Sequence, residues 1–64
     1  MNDELYSYSK YKGFHLFVEC WEDESGFRYE GVSTLNGTTV HSARGITGDG
    51  VERKLEVLID EDYE

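Results

Sequence analysis

The stretch "FHLFVECWEDESGFRYEGVSTLNGTTVHSA" (residues 14–43) holds three strand-like runs separated by two turn signals. From Phe14 to Glu22 the even positions are Phe14, Leu16, Val18 and Cys20, an unbroken apolar row. The odd positions, His15, Phe17, Glu19 and Trp21, are mixed, so this is a strand with one apolar face. "DESG" at 23–26 is a four-residue turn, with Gly26 free to take positive φ. Phe27 to Thr34 is the second strand. Asn36-Gly37 is a strong short hairpin signal and favours a type I′ turn. Thr38 to Ala43, led by β-branched residues, is the third.

The two turns predict a register. A two-residue loop at Asn36-Gly37 pairs Leu35 with Thr38, Ser33 with Val40, and Val32 with His41. A loop at 23–26 pairs Glu22 with Phe27, Cys20 with Tyr29, and Val18 with Gly31. Paired residues share a face. One face then collects Phe14, Leu16, Val18, Cys20, Phe27, Tyr29, Leu35 and Val40. The other collects His15, Phe17, Glu19, Trp21, Arg28, Glu30, Val32, Thr34, Thr39, His41 and Ala43. Turns read independently agree on one apolar face, which a one-residue slip would scramble.

Beyond the third strand, "TGDGVERKLEVLIDEDYE" (47–64) has helical period. Val51, Leu55, Leu58 and Ile59 form one stripe, the cover that the apolar sheet face needs. The predicted fold is α+β: a three-stranded antiparallel meander with one C-terminal helix on one face. Residues 13–64 form this single domain. Residues 1–12, with "YSYSKY" at 6–11, are either a tail or a short extra N-terminal strand.

Three glycines, Gly45, Gly48 and Gly50, precede the helix and raise the question of a phosphate loop. A P-loop needs a lysine and a hydroxyl after its last glycine, and a dinucleotide loop needs a different glycine spacing. Asp49 would also repel a phosphate. The stretch reads instead as a helix start. Thr47 is the cap, Ile46 and Val51 form a hydrophobic staple, and Asp49 complements the dipole; Asp49 with Glu52 is a competing capping box.

The single cysteine excludes an intrachain disulfide and a multi-cysteine zinc site. No apolar run reaches the ~20 residues of a membrane span, and the acidic start "MNDEL" is unlike a signal peptide. The expectation is a soluble, cytoplasmic protein. With 14 Asp+Glu against 6 Lys+Arg, net −8, the chain repels nucleic acid and suits a protein partner with a basic surface.

Catalytic and metal chemistry find little support. His15 and His41 share a face on the predicted register but lie on the outer strands, about 10 Å apart or more at ~4.8 Å per strand. Cys20 faces the core, where a thiol is quiet. The clusters at 22–24 and 60–62 lack the partly buried setting that tunes catalytic carboxylates. No cofactor and no enzymatic activity are expected. The open sheet face remains. Phe17 and Trp21 have no helix to cover them, Val32 and Ala43 extend the apolar area, and Arg28 lies opposite Trp21 in position for a cation–π contact. Such a patch marks an interface. Its expected residues are Phe17, Trp21, Arg28, Val32 and His41, used for a partner or a homodimer, unless Tyr6, Tyr8 and Tyr11 fold over it.

Gly45-Ile46-Thr47, Asp49, then Val51, Leu55, Leu58 and Ile59, together with the "EDESGFRYEG" turn (22–31), resemble the partial double-stranded-RNA-binding-like domain of HicB-type antitoxins. The resemblance covers roughly residues 14–60, and "STLNGTTV" (33–40) departs from the family's Pro-containing, Gly-Cys-bearing segment. It implies a non-catalytic module that binds a partner protein, often as a dimer, rather than RNA. The alternative from another class is an acidic decoy that mimics nucleic-acid charge in a basic site.

Overall fold

The computed structural model describes residues 4–62. Its elements are β1 (Glu4–Tyr11), β2 (Phe14–Asp23), β3 (Gly26–Leu35), β4 (Thr38–Gly45) and α1 (Gly48–Asp62). The four strands form one antiparallel sheet in chain order, and α1 covers one face of it. The meander therefore has the three expected strands and, before them, the extra N-terminal strand that stood as the alternative to a tail. The N-terminal strand enters through a hairpin at Lys12-Gly13. Lys12 (φ 51°) and Gly13 (φ 87°) both take the left-handed conformation, as do Asn36 (φ 54°) and Gly37 (φ 79°) at the expected turn. Two positive-φ residues match the twist of the flanking strands. Lysine is an uncommon residue for such a site, which is why "KG" did not read as a turn.

The β2–β3 register is the expected one: Glu22 pairs with Phe27, Cys20 with Tyr29, and Val18 with Gly31. The ladder runs one pair further, to Asp23 and Gly26, so the loop has two residues rather than four. Asp23 Oδ1 accepts the Ser25 amide at 2.7 Å and closes it.

The β3–β4 register departs from expectation. Leu35 pairs with Thr38, but a bulge follows, and Ser33 pairs with His41 instead of Val40. Val32 then meets Ser42, and Gly31 meets Ala43. Every residue after Val40 changes face: His41 and Ala43 turn toward the helix, Ser42 and Arg44 away from it. The reason is the cost of burying a charge. An unbulged strand would place Arg44 on the helix-covered face, where Gly45 now lies. A Cβ on Gly45 would already be 3.1 Å from Val51 Cγ2. One extra residue exchanges the arginine for a glycine.

The core is small. Phe14, Leu16 and Val18 of β2 pack against Val51, Leu55 and Ile59 of α1, with Tyr11, Tyr29, Leu35 and Ala43 around them. Gly31 lets the helix approach: a Cβ there would be 2.7 Å from Val51 Cγ1 and 3.0 Å from Leu55 Cδ1. Two expected core residues lie beyond the helix's cover. Phe27 is 57% exposed and Val40 is 45% exposed. Leu58 is half-buried at the edge of the stripe.

The helix starts at its expected cap. Thr47 Oγ1 accepts the Gly50 amide at 3.0 Å, and the Thr47 carbonyl accepts the Val51 amide at 3.2 Å. The staple does not form, because Ile46 is 74% exposed while Val51 is fully buried. No helix among the described residues is long and apolar enough to cross a membrane.

Candidate functional site

Pairing places the side chains of the uncovered face in rows across the sheet. Lys10, His15, Thr34 and Thr39 form one row. Tyr8, Phe17, Val32 and Ser42 form the next, then Leu5, Glu19, Glu30 and Arg44, and last Trp21 with Arg28. Of the five expected site residues, Phe17, Trp21, Arg28 and Val32 lie on this face. His41 does not, because the bulge turns it toward the helix.

Tyr8 is the addition. Its ring lies 5.1 Å from Phe17 and 5.8 Å from His15, the latter nearly parallel at 18°. Its hydroxyl shares a 2.6 Å hydrogen bond with His15 Nδ1. The three rings make an aromatic cluster beside Val32. Tyr8 remains 47% exposed, so it extends the patch rather than sealing it. The other two tyrosines leave this face altogether. Tyr6 stands at a β1 bulge and packs edge-on against Tyr29, centroids 5.0 Å apart, and it contacts the helix start at Gly48. Tyr11 reaches Asp60 of α1. Phe17 and Trp21 are half-buried by their neighbours.

The Trp21–Arg28 pair is in register, but the guanidinium is used otherwise. Arg28 Nη1 donates to the Phe27 carbonyl at 3.1 Å, and Nε lies 3.6 Å from Asp23 Oδ2. Trp21 and Arg28 line a recess of about 420 Å³ with Arg44 and Ile46 at the end of the sheet. The charges of this face, Lys10, Arg28 and Arg44 against Glu19 and Glu30, nearly balance. Arg44 Nε donates to Glu30 Oε2 at 3.1 Å. The chain's acidity lies elsewhere: α1 carries Asp49, Glu52, Glu56, Asp60, Glu61 and Asp62 against Arg53 and Lys54.

The helix-covered side holds two polar clusters. Asp60 accepts the Tyr11 hydroxyl on both oxygens at 3.0 Å and the Lys12 ammonium at 2.5 Å. The Lys12 hydrogen bond, and then the Tyr11 one, holds the Asp60 carboxyl below its ordinary value. In return, the hydrogen bond to Asp60 raises both Lys12 and Tyr11. These contacts tie the β1–β2 turn to the last helical turns.

The second cluster has triad-like composition. His41 Nε2 lies 2.5 Å from Asp62 Oδ2, and His41 Nδ1 lies 2.9 Å from Ser33 Oγ. A carboxylate accepts, so Nε2 donates to Asp62, while Nδ1 shares a hydrogen bond with the Ser33 hydroxyl. Ser33 is fully buried, so its hydroxyl cannot meet a substrate there. The chain is a strut from β3 through β4 to the helix end. It also separates the histidines: His15 lies on the open face and His41 on the covered one. Among the described residues no group of three His, Cys, Asp or Glu side chains gathers for a metal.

Comparison with protein-family models, with curated proteins and with solved structures returns no match for this chain.

Proposed function

We propose that this chain is a non-catalytic protein-binding module that docks a partner on the open face of its sheet. The carrying observation is the aromatic cluster of Tyr8, His15 and Phe17, flanked by Val32, on a face that α1 does not cover. Large rings ordered by their neighbours lose little side-chain entropy on binding, which is why they dominate interfaces. The nearly balanced charge of the face suits a contact driven by apolar burial. The resemblance to the antitoxin domain points to the same class of function.

The test is capture from a cell extract with the wild-type chain and with Phe17→Ser and Trp21→Ala, each checked for native circular dichroism. Phe17→Ser is expected to lose the captured protein, with Trp21→Ala weakening it. A partner retained at the wild-type level by both folded variants rejects this face.

The acidic helix supports a second reading. α1 carries six carboxylates against two basic residues, an acidic excess of the kind a decoy for a basic site would use. That contact would weaken steeply with salt, whereas docking on the open face would not. Titrating the captured complex with sodium chloride separates the two.

A further inference from the structure

The sheet has two edges, and they differ. Along β1 the gap to α1 is closed by Ser7 with Glu52, Tyr11 with Asp60 and Lys12 with Asp60. Along β4 the helix is also tied to the strand, by Lys54 to the Arg44 carbonyl and by His41 with Asp62, yet a groove of about 620 Å³ remains between them. Ser42, Ala43 and Arg44 form its strand wall, and the helix wall includes Arg53, Val57, Leu58 and Glu61. Val57 is 48% exposed there. The helix thus has an apolar stripe for its own sheet (Val51, Leu55, Ile59) and a second, at Val57 and Leu58, directed past the sheet edge.

The groove is self-complementary. Two contacts set the level of the helix along β4: Lys54 Nζ donates to the Arg44 carbonyl at 2.7 Å, and His41 Nε2 meets Asp62. Val57 and Leu58 therefore stand level with Ser42 and Ala43. Between the Val40 bulge and the turn into the helix, the regular part of β4 runs from His41 to Gly45, and its middle residue is Ala43. A two-fold axis through Ala43, perpendicular to the sheet, pairs His41 with Gly45 of a second copy and Ser42 with Arg44. It keeps both helices on the same side. The same axis runs beside Val57, so the helices lie antiparallel, with position 53 of one copy opposite position 61 of the other. Arg53 then faces Glu61, and Glu61 faces Arg53, as an isologous contact requires. Ala43 stands at the axis where the backbones meet, and opposite charges stand at both ends of the apolar centre.

From this geometry we infer that the occupant of the groove is a second copy of this chain. The two β4 edges pair antiparallel into one eight-stranded sheet, and Val57 packs against its symmetry mate. The physical motive is the size of the core. Six buried apolar side chains among the described residues are few for a domain without a disulfide, and oligomerisation is a usual remedy at this size. Pairing also covers an open strand edge. The inference is independent of the open aromatic face, which the dimer leaves free and doubles on one side of the joined sheet.

The test is sedimentation equilibrium on the full chain. The wild type is expected to be a dimer, and Arg53→Glu and Glu61→Arg are each expected to weaken association by roughly tenfold or more, because each sets like charges opposite one another. The double variant Arg53→Glu/Glu61→Arg restores it. Both positions are exposed, so the folded monomer survives the changes. A second measurement uses Val57→Cys with Cys20→Ser: mild oxidation is expected to give a covalent dimer. A wild type that stays monomeric up to about 1 mM overturns the inference. So does a dimer that is indifferent to both single charge reversals, that is not restored by the double variant, or that dissolves with Trp21→Ala instead.

Discussion

Gly31 lies beneath Val51 and Leu55 of the helix, and a single methyl group there has no free space. Gly31→Ala would place a Cβ 2.7 Å from Val51 Cγ1, so the helix must lift or both side chains must leave their rotamers. The expected loss is about 1–3 kcal/mol, read as a lower urea midpoint. Asp60 acts through charge. Its carboxyl is held below the ordinary 3.8 by Lys12 and Tyr11, so its contribution is present above that value and lost as pH falls through the lower, folded one. Lys12 and Tyr11 are raised above 10.5 and 10.0. Their contribution is present below those values and lost as pH rises through the folded ones. Asp60→Asn is therefore expected to flatten the stability profile at both ends. Urea midpoints compared between about pH 5 and pH 2, and again above about pH 10, read the change. An unchanged acid limb in Asp60→Asn would show that the cluster adds nothing to stability.

The bulge at Val40 and the cap at Thr47 act on whole elements. The bulge carries Arg44 to the open face and lets Gly45 sit beneath Val51, at the expense of one unpaired residue in β4. The cap supplies an acceptor for one of the first helical amides, which have no partner within the helix. Thr47→Ala is expected to lower stability by about 1 kcal/mol. Because Gly50 occupies the position where a capping box has Glu or Gln, no reciprocal bond compensates the loss. Hydrogen exchange would show faster exchange of the Gly50 amide in Thr47→Ala, with the β2 and β3 amides less affected. The Ile46 contact adds little at this end, since that side chain points to solvent.

For the molecule as a whole, the two faces and two edges of the sheet have separate work. One face carries the core, the other the aromatic cluster. Polar contacts tie the helix to both edge strands, and beside β4 they leave a groove. If that groove closes on a second copy, stability depends on concentration. The thermal midpoint is expected to rise over roughly a hundredfold range of protein concentration, and Arg53→Glu is expected to remove the slope. Calorimetry checks both. A midpoint independent of concentration in the wild type would leave the fold as described and reject the association.

Most of the fold was legible from local signals. Alternation from Phe14 to Cys20, the Asn36-Gly37 turn, and the stripe of Val51, Leu55 and Ile59 each follow from a period or a dipeptide. The four central members of the candidate face, Phe17, Trp21, Arg28 and Val32, follow from the β2–β3 register, because a short loop permits few pairings. The place of Tyr8 stayed open between tail and strand, since its turn uses a lysine at positive φ. The facing of His41 and Ala43 was not legible either. Strand alternation assumes an unbroken ladder, and whether a ladder breaks depends on what lies across it. Here that was Arg44, which an unbroken ladder would place beneath the apolar stripe of the helix. Local chemistry determined the elements and their order; the arrival of the helix on the sheet decided where the strand had to bulge, because only then did a charge on that face become costly to bury.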